Sequence, residues 1–383
     1  MEAFHALWTF PAIILAAMLI AWGAECGQFY ISQGLALAVL AWLQTLPEFA
    51  VEAVIALEAA KNPEQMHLVT ANFTGSLRLF VGLGWPMVYF VAIFFSRRRK
   101  FEKKGFWTIQ MEDEHSIGVL ALLPALAYFL YIYLKATLTL WDAMALTLIY
   151  SVYLFLLSKL PPQDAEGVED LGRIPRFVMK LPKRQSIVAV VLLFVAGGVI
   201  LWVGAHPFLE SMLTLAVTLG ISQFVFVQWI APFLSEFPEK LSAFHWARTV
   251  QKAPMALANF VSSSINQWTI LVATVPVIYS IGVGHPAHIT FDEHQRVEIL
   301  LTIVQSYLGF LFLASMDFGA SEALGLFALW VVQFFVPHVR EEITVVYAVW
   351  AGIETLRLAI NFRRRNAFTS FWRLFKTRSA RPG

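Results

Sequence analysis

Apolar stretches long enough to cross a bilayer follow one another from residue 6 to residue 361 of this chain. A helix rises about 1.5 Å per residue, so about 20 apolar residues cover a hydrocarbon core of about 30 Å. Barrel strands would be half as long and would alternate apolar with polar residues. Composition agrees with helices in a membrane, since 58% of the 383 residues are hydrophobic and only 14% are charged. An all-α polytopic membrane protein is expected.

Spans are predicted at 6–25, 31–60, 65–96, 116–135, 139–159, 185–205, 208–246, 252–282, 295–315, 319–336 and 342–361. The second, third, seventh and eighth exceed one crossing and contain Pro, Gly or polar residues, which predicts broken or kinked helices. Positive charge collects at 97–104, 159–184, 245–252 and after 361. Eleven spans put these four segments on one side, so the positive-inside rule predicts an outside N-terminus and a cytoplasmic C-terminus, in a plasma (inner) membrane. The first residues, "MEAFHALWTF", lack the basic region of a cleaved signal peptide, so the first span is expected to be retained. A single cysteine, Cys26, excludes an internal disulfide framework and a multi-cysteine metal site.

Three motifs recur in order. "LPEFAVE" (46–52) matches "LSEFPEK" (234–240), "ANFTGS" (71–76) matches "ANFVSS" (258–263), and "DEH" (113–115) matches "DEH" (292–294). The offsets are 188, 187 and 179 residues. Each unit has five spans, an odd number, so the second must be inserted upside down relative to the first. The expected fold is two inverted five-helix repeats plus one extra C-terminal helix. Residues 1–160 form the first repeat, 161–184 a cytoplasmic linker, 185–337 the inverted second repeat, and 338–383 the extra helix and a basic tail. Inverted repeats with discontinuous helices near the midplane are typical of secondary transporters.

A carboxylate inside a membrane is costly and points to a functional site. Glu48 and Glu236 recur at the same place in the two repeats, where they would repel each other unless a proton or a cation intervenes. Pro47, Pro232 and Pro238 are expected to break the helices there and free backbone carbonyls. Asn72, Ser76, Asn259 and Ser263 could add neutral oxygens, as a hard cation such as calcium requires, or could be interhelical hydrogen-bonding groups. Glu52 and Glu239 follow the two glutamates on shared helix faces and suggest an access path. Arg78 and Lys240 could neutralise nearby glutamates. Glu58 reads as a solvated residue near a helix end, and the "DEH" motifs as solvated helix starts.

The pair "LPEF"/"LSEF", each followed by "ANFTGS"/"ANFVSS", resembles the two alpha-repeats of the calcium:cation antiporters, which include the sodium/calcium exchangers. The resemblance implies cation ligands at Glu48 and Glu236, with Thr45 keeping one of the hydroxyls that precede Leu-Pro-Glu. Phe233 and Ser235 depart from the family pattern in the second repeat. The second motif aligns in two ways. One places Phe80 and Gln267 at the family's Asn/Asp positions; the other, preferred because it leaves oxygen throughout, places Ser76 and Ser263 there. The expected function is secondary-active antiport of Ca2+ against Na+ or H+ by alternating access, without a cofactor and without ATP, since no phosphate-binding GxxxxGK[ST] sequence occurs. The bilayer and small inorganic cations (Ca2+, Na+, K+ or H+) are expected as partners, with no nucleic acid. The alternatives are a K+ or Na+/H+ exchanger, an intramembrane lipid-modifying enzyme, and a non-transporting sensor in which Arg78 is a tethered counter-ion.

Overall fold

The computed structural model describes residues 2–30, 45–98, 108–159, 167–361 and 365–379. The start of the second predicted span (31–44) and most of the basic segment 97–104 lie outside them. Eight helices are long and apolar enough to cross a membrane, and Gln223–Ser235 and Ala320–Phe335 are shorter apolar helices. Together with Leu46–Lys61 they fall within the predicted spans, though Lys183–Thr218 covers the sixth and runs on into the seventh.

The chain divides into two compact units, each drawing on both repeats. The first comprises residues 1–73, 154–239 and 277–286. In it, α1 (Glu2–Gly27) packs along α8 (Lys183–Thr218), with the short α7 (Arg173–Met179) of the linker against both. Small residues allow the approach: a Cβ on Gly197 would meet Ile20 Cγ1 at 2.7 Å and the Ala16 carbonyl at 3.0 Å. Cys26 is buried with Val178 and Val190. Helix α2 (Leu46–Lys61) packs against α8 and against α9 (Gln223–Ser235). The predicted boundary between 205 and 208 does not exist. Helix α8 runs for 36 residues through Pro207, and its chain turns only at Gly220, where φ is +67°. The helix continues past the His206-Pro207 pair, and His206 bonds Glu58 at 3.3 Å. Glu58 also pairs with Lys61 at 2.7 Å, as a partly exposed residue near a helix end should.

The second unit comprises residues 74–153, 240–276 and 287–383. Helix α3 (Met66–Leu79) runs into a π-helical turn at Phe80–Gly84, then α4 (Trp85–Arg98). The matching path is α11 (Ala253–Asn266), a π turn at Gln267–Leu271, and α12 (Val272–Val283), so the two π turns repeat the 187-residue offset. Helix α10 (Phe237–Arg248) precedes them.

Two short antiparallel strand pairs give the repeat its orientation. Strand β1 (Thr108–Gln110) precedes α5 (Ser116–Lys135), and β2 (Thr137–Leu138) lies between α5 and α6 (Leu140–Ser158). In the second repeat, β3 (Ile289–Thr290) precedes α13 (Glu293–Leu313), and β4 (Asp317–Gly319) precedes α14 (Ala320–Phe335). β1 pairs with β4 and β2 with β3. The start of α5 therefore adjoins the end of α13, and the end of α5 adjoins the start of α13. The equivalent helices α5 and α13 thus run antiparallel, as inversion demands.

The exchange holds atom by atom. Met111 N–H donates to the Met316 carbonyl at 2.8 Å, and Phe291 N–H to the Ala136 carbonyl at 2.9 Å. Ala136 and Met316 both have positive φ, 55° and 62°. The Asp142 carboxylate accepts from the Thr139 backbone at 2.7 Å, and the Glu322 carboxylate from the Gly319 backbone at 2.6 Å. Each of these pairs is offset by 180 residues. The "DEH" match at 179 is thus one residue out of register: the helix caps that correspond are Glu112 and Asp292. Both motifs do mark helix starts.

The extra helix α15 (Arg340–Ile360) packs against α13, and α16 (Asn366–Ser379) against α5. Helix α14 sits against α4 and the first π turn, where a Cβ on Gly82 would lie 2.5 Å from Trp330 Cβ. Because a Cβ cannot swing aside, Gly82→Ala is expected to cost about 1–3 kcal/mol by overpacking and to lower the melting temperature in detergent. Gly198→Ala, with nothing within 4 Å, should melt at or above the unsubstituted protein. Equal melting of the two variants would contradict this packing.

Candidate cation-binding site

In the first unit, Thr45 sits at the N-cap of α2, with Pro47 in the first turn, where its missing N–H costs no helical hydrogen bond. Glu48 follows in the same turn. An anionic side chain there is favoured by the orphan N–H groups and positive end of the helix dipole. In the second repeat the break falls at the glutamate: Glu236 separates α9 from α10, with φ −94° and ψ 8°. Pro232 lies inside α9 and Pro238 in the first turn of α10. Since α2 packs against α9, whose C-cap is Glu236, the structure brings the two glutamate-bearing segments into one unit.

Thr45, Glu48, Glu52, Asn72, Glu236 and Glu239 all belong to this unit and are all buried. Glu52 lies one turn beyond Glu48 and is fully buried. One of its oxygens accepts a short hydrogen bond from the Asn72 amide. Its Oε1 and the Asn72 Oδ1 have no hydrogen-bond partner among the described residues. The repeat counterpart of Glu52, at the same 188-residue offset as Glu48 and Glu236, is Lys240.

The second unit holds Ser76, Arg78, Lys240, Asn259 and Ser263. Ser76 and Ser263 are buried; Asn259 is half-buried, and its amide nitrogen has no hydrogen-bond partner among the described residues. Lys240 Nζ lies 5.2 Å from the centre of the Phe80 ring, a cation–π contact. Arg78, at the end of α3, pairs with Glu298 of α13 at 2.5 Å, both side chains fully buried. The second Glu298 oxygen pairs with Arg340 of α15 at 2.7 Å. Gln333 of α14 receives Arg78 Nη1 at 3.4 Å and donates to Gln305 and to Tyr347 at 3.1 Å each. Gln305 in turn donates to the Arg78 carbonyl at 3.2 Å.

Glu298, Gln305, Gln333 and Tyr347 are residues the sequence reading missed. Glu298 follows a polar helix start, "DEHQRVE", and its partners lie 220 and 42 residues away, so no local spacing marks it. One signal was present: an arginine in an apolar helix requires an acidic partner, and Glu298 is a carboxylate inside the ninth predicted span.

Among the described residues no group of three or more His, Cys, Asp and Glu is placed to hold a metal ion. The donor set offered is carboxylates with amide and hydroxyl oxygens, which suits a hard cation better than a soft one. Residues 3–159 and 189–337 match the profile of sodium/calcium exchanger protein, one match in each repeat. The chain belongs to that family. It is similar over 99% of its length, at 30% identity, to a crystal structure of the H+/Ca2+ exchanger CAX; the TM-score is 0.88 and 92% of that chain is covered. It also shares the fold of the sodium-calcium exchanger NCX_Mj, soaked with Na+ and Sr2+, at 16% identity and TM-score 0.55 over 88% of this chain and 98% of that one. A comparison with curated proteins gives no match. The chain is a multi-pass membrane protein that exchanges cations, a transporter and not an enzyme.

Proposed function

We propose that this exchanger moves calcium against protons, exposing a site built on Glu48 and Glu236 to each side of the membrane in turn, with Thr45 and Asn72 adding neutral oxygens. The observation that carries the choice of proton is Glu52. A fully buried carboxyl with one oxygen on an amide and the other without a hydrogen-bond partner is costly as an anion. As a neutral acid it is at home there. Standing one turn from Glu48, it can give up its proton as a cation arrives at its neighbour, which links the two ions. The likeness to an H+/Ca2+ exchanger over nearly the whole chain favours the same pairing. Glu239, buried beyond Glu236, extends the path to the site. The basic segments put the C-terminus in the cytoplasm and the N-terminus outside the plasma membrane.

The test is calcium uptake into proteoliposomes under imposed proton, sodium or potassium gradients. A proton gradient is expected to drive uptake and a sodium gradient to add little. Glu52→Gln should abolish the response to pH while calcium/calcium exchange persists. Sodium-driven uptake indifferent to pH would overturn the proton assignment. Proton movement against sodium or potassium without any calcium flux would instead make the chain a monovalent cation/proton exchanger.

A further inference from the structure

The last helix, α16, has two dissimilar faces. On one, Ala367 and Ser370 are buried. The Ala367 N–H donates to the Ala314 carbonyl at 3.0 Å and the Asn366 amide to the Ser315 carbonyl at 2.9 Å, just beyond the end of α13. Asp113, at the start of α5, accepts from Ser370 Oγ at 2.6 Å and from Arg373 Nη1 at 2.8 Å. This face therefore clamps the two helix ends that the β1–β4 pair also joins.

The other face has no such partners among the described residues. Trp372 lies about 200° around the helix from Ser370 and is 73% exposed. Phe368 is one turn before it and the exposed Lys376 one turn after. Two further facts say what covers this face. First, α16 starts just past a membrane-crossing helix, and Arg365 ties the junction by donating to the Leu358 carbonyl at 3.0 Å. The helix is thus held near the depth of the lipid headgroups. Secondly, residues 361–383 contain seven Arg and Lys and no Asp or Glu. Aromatic residues flanked by basic ones on one face of an interfacial helix suit the boundary between acyl chains and anionic headgroups.

We infer that α16 is a membrane-surface helix whose Phe368–Trp372–Lys376 face binds anionic phospholipid, and whose opposite face transmits that binding through Asp113 to the ends of α5 and α13. No counterpart serves the β2–β3 end among the described residues, so the lipid acts on one side of the membrane only.

The test uses the full chain carrying Trp372→Cys labelled with bimane, in nanodiscs doped with brominated lipid. Cys26 is buried, and the unsubstituted protein controls for its labelling. At equal mole fraction, brominated phosphatidylglycerol is expected to quench several-fold more than brominated phosphatidylcholine. Lys376→Gln should reduce the preference for phosphatidylglycerol by up to about fivefold. Equal quenching by the two lipids would overturn the anionic specificity. Quenching by neither would mean that solvent or protein covers this face, and would overturn the inference as a whole.

Discussion

Glu298→Ala is expected to destabilise the protein by about 3–5 kcal/mol, enough to abolish a monodisperse species in detergent at physiological temperature. Its carboxylate lies between two guanidinium groups, Arg78 at 2.5 Å and Arg340 at 2.7 Å. The Arg78 side chain is entirely buried. Arg78 also donates to the Thr74 carbonyl at 3.2 Å and to Gln333 Oε1 at 3.4 Å, and both of these acceptors are neutral. Neutral acceptors do not balance a buried charge. Removing both charges is a different matter: Arg78→Met with Glu298→Leu replaces the pair by apolar groups of similar volume and should recover most of the loss. Arg340, less deeply buried, is closer to solvent and to His294. Thermal unfolding followed by size-exclusion chromatography reads both outcomes. If Glu298→Ala melted like the unsubstituted protein, the network would not be a stabilising one.

The same network gives the extra helix a structural role: Arg340 and Tyr347 tie α15 to α13 and α14, so a helix outside the repeat completes the second unit.

The legible features were those written in local spacing. Runs of apolar residues located most of the spans, and the prolines on either side of Glu236 marked the break there. The paired π turns have the same 187-residue offset as the "ANF" motifs. Features decided by long-range contact were not legible. Pro207 reads as a helix end, yet in a membrane helix a proline is tolerated where neighbours satisfy the freed groups, and α8 continues past it. A three-letter match placed the "DEH" motifs one residue out of register, because capping depends on which acid reaches the helix N–H groups and not on its identity. Arg78 reads as a partner for nearby glutamates of the repeat motifs, whereas it pairs with Glu298, which has no counterpart in the repeat: the equivalent position is Gly118.

Glu48→Gln and Glu236→Gln are expected to have the opposite signature to Glu298→Ala. Each replaces a buried acid by a neutral amide of the same shape, which removes a costly potential charge from the membrane interior. Melting temperature should therefore hold or rise. Calcium flux should fall by about a hundredfold or more, because affinity for a hard divalent cation depends steeply on the charge of its oxygen ligands. Glu58→Gln supplies the control: that residue is partly exposed and paired with Lys61 and His206, so flux should change little. The discriminating quantity is the pair of readings, not either alone. A glutamate retained to carry cations gives lost flux with intact stability; one retained to balance a buried arginine gives lost stability first. If Glu48→Gln and Glu236→Gln unfolded the protein, or left flux unchanged, the repeat glutamates would belong with Glu298 as structural groups, and the transported ion would have to be sought at Glu52 and Asn72.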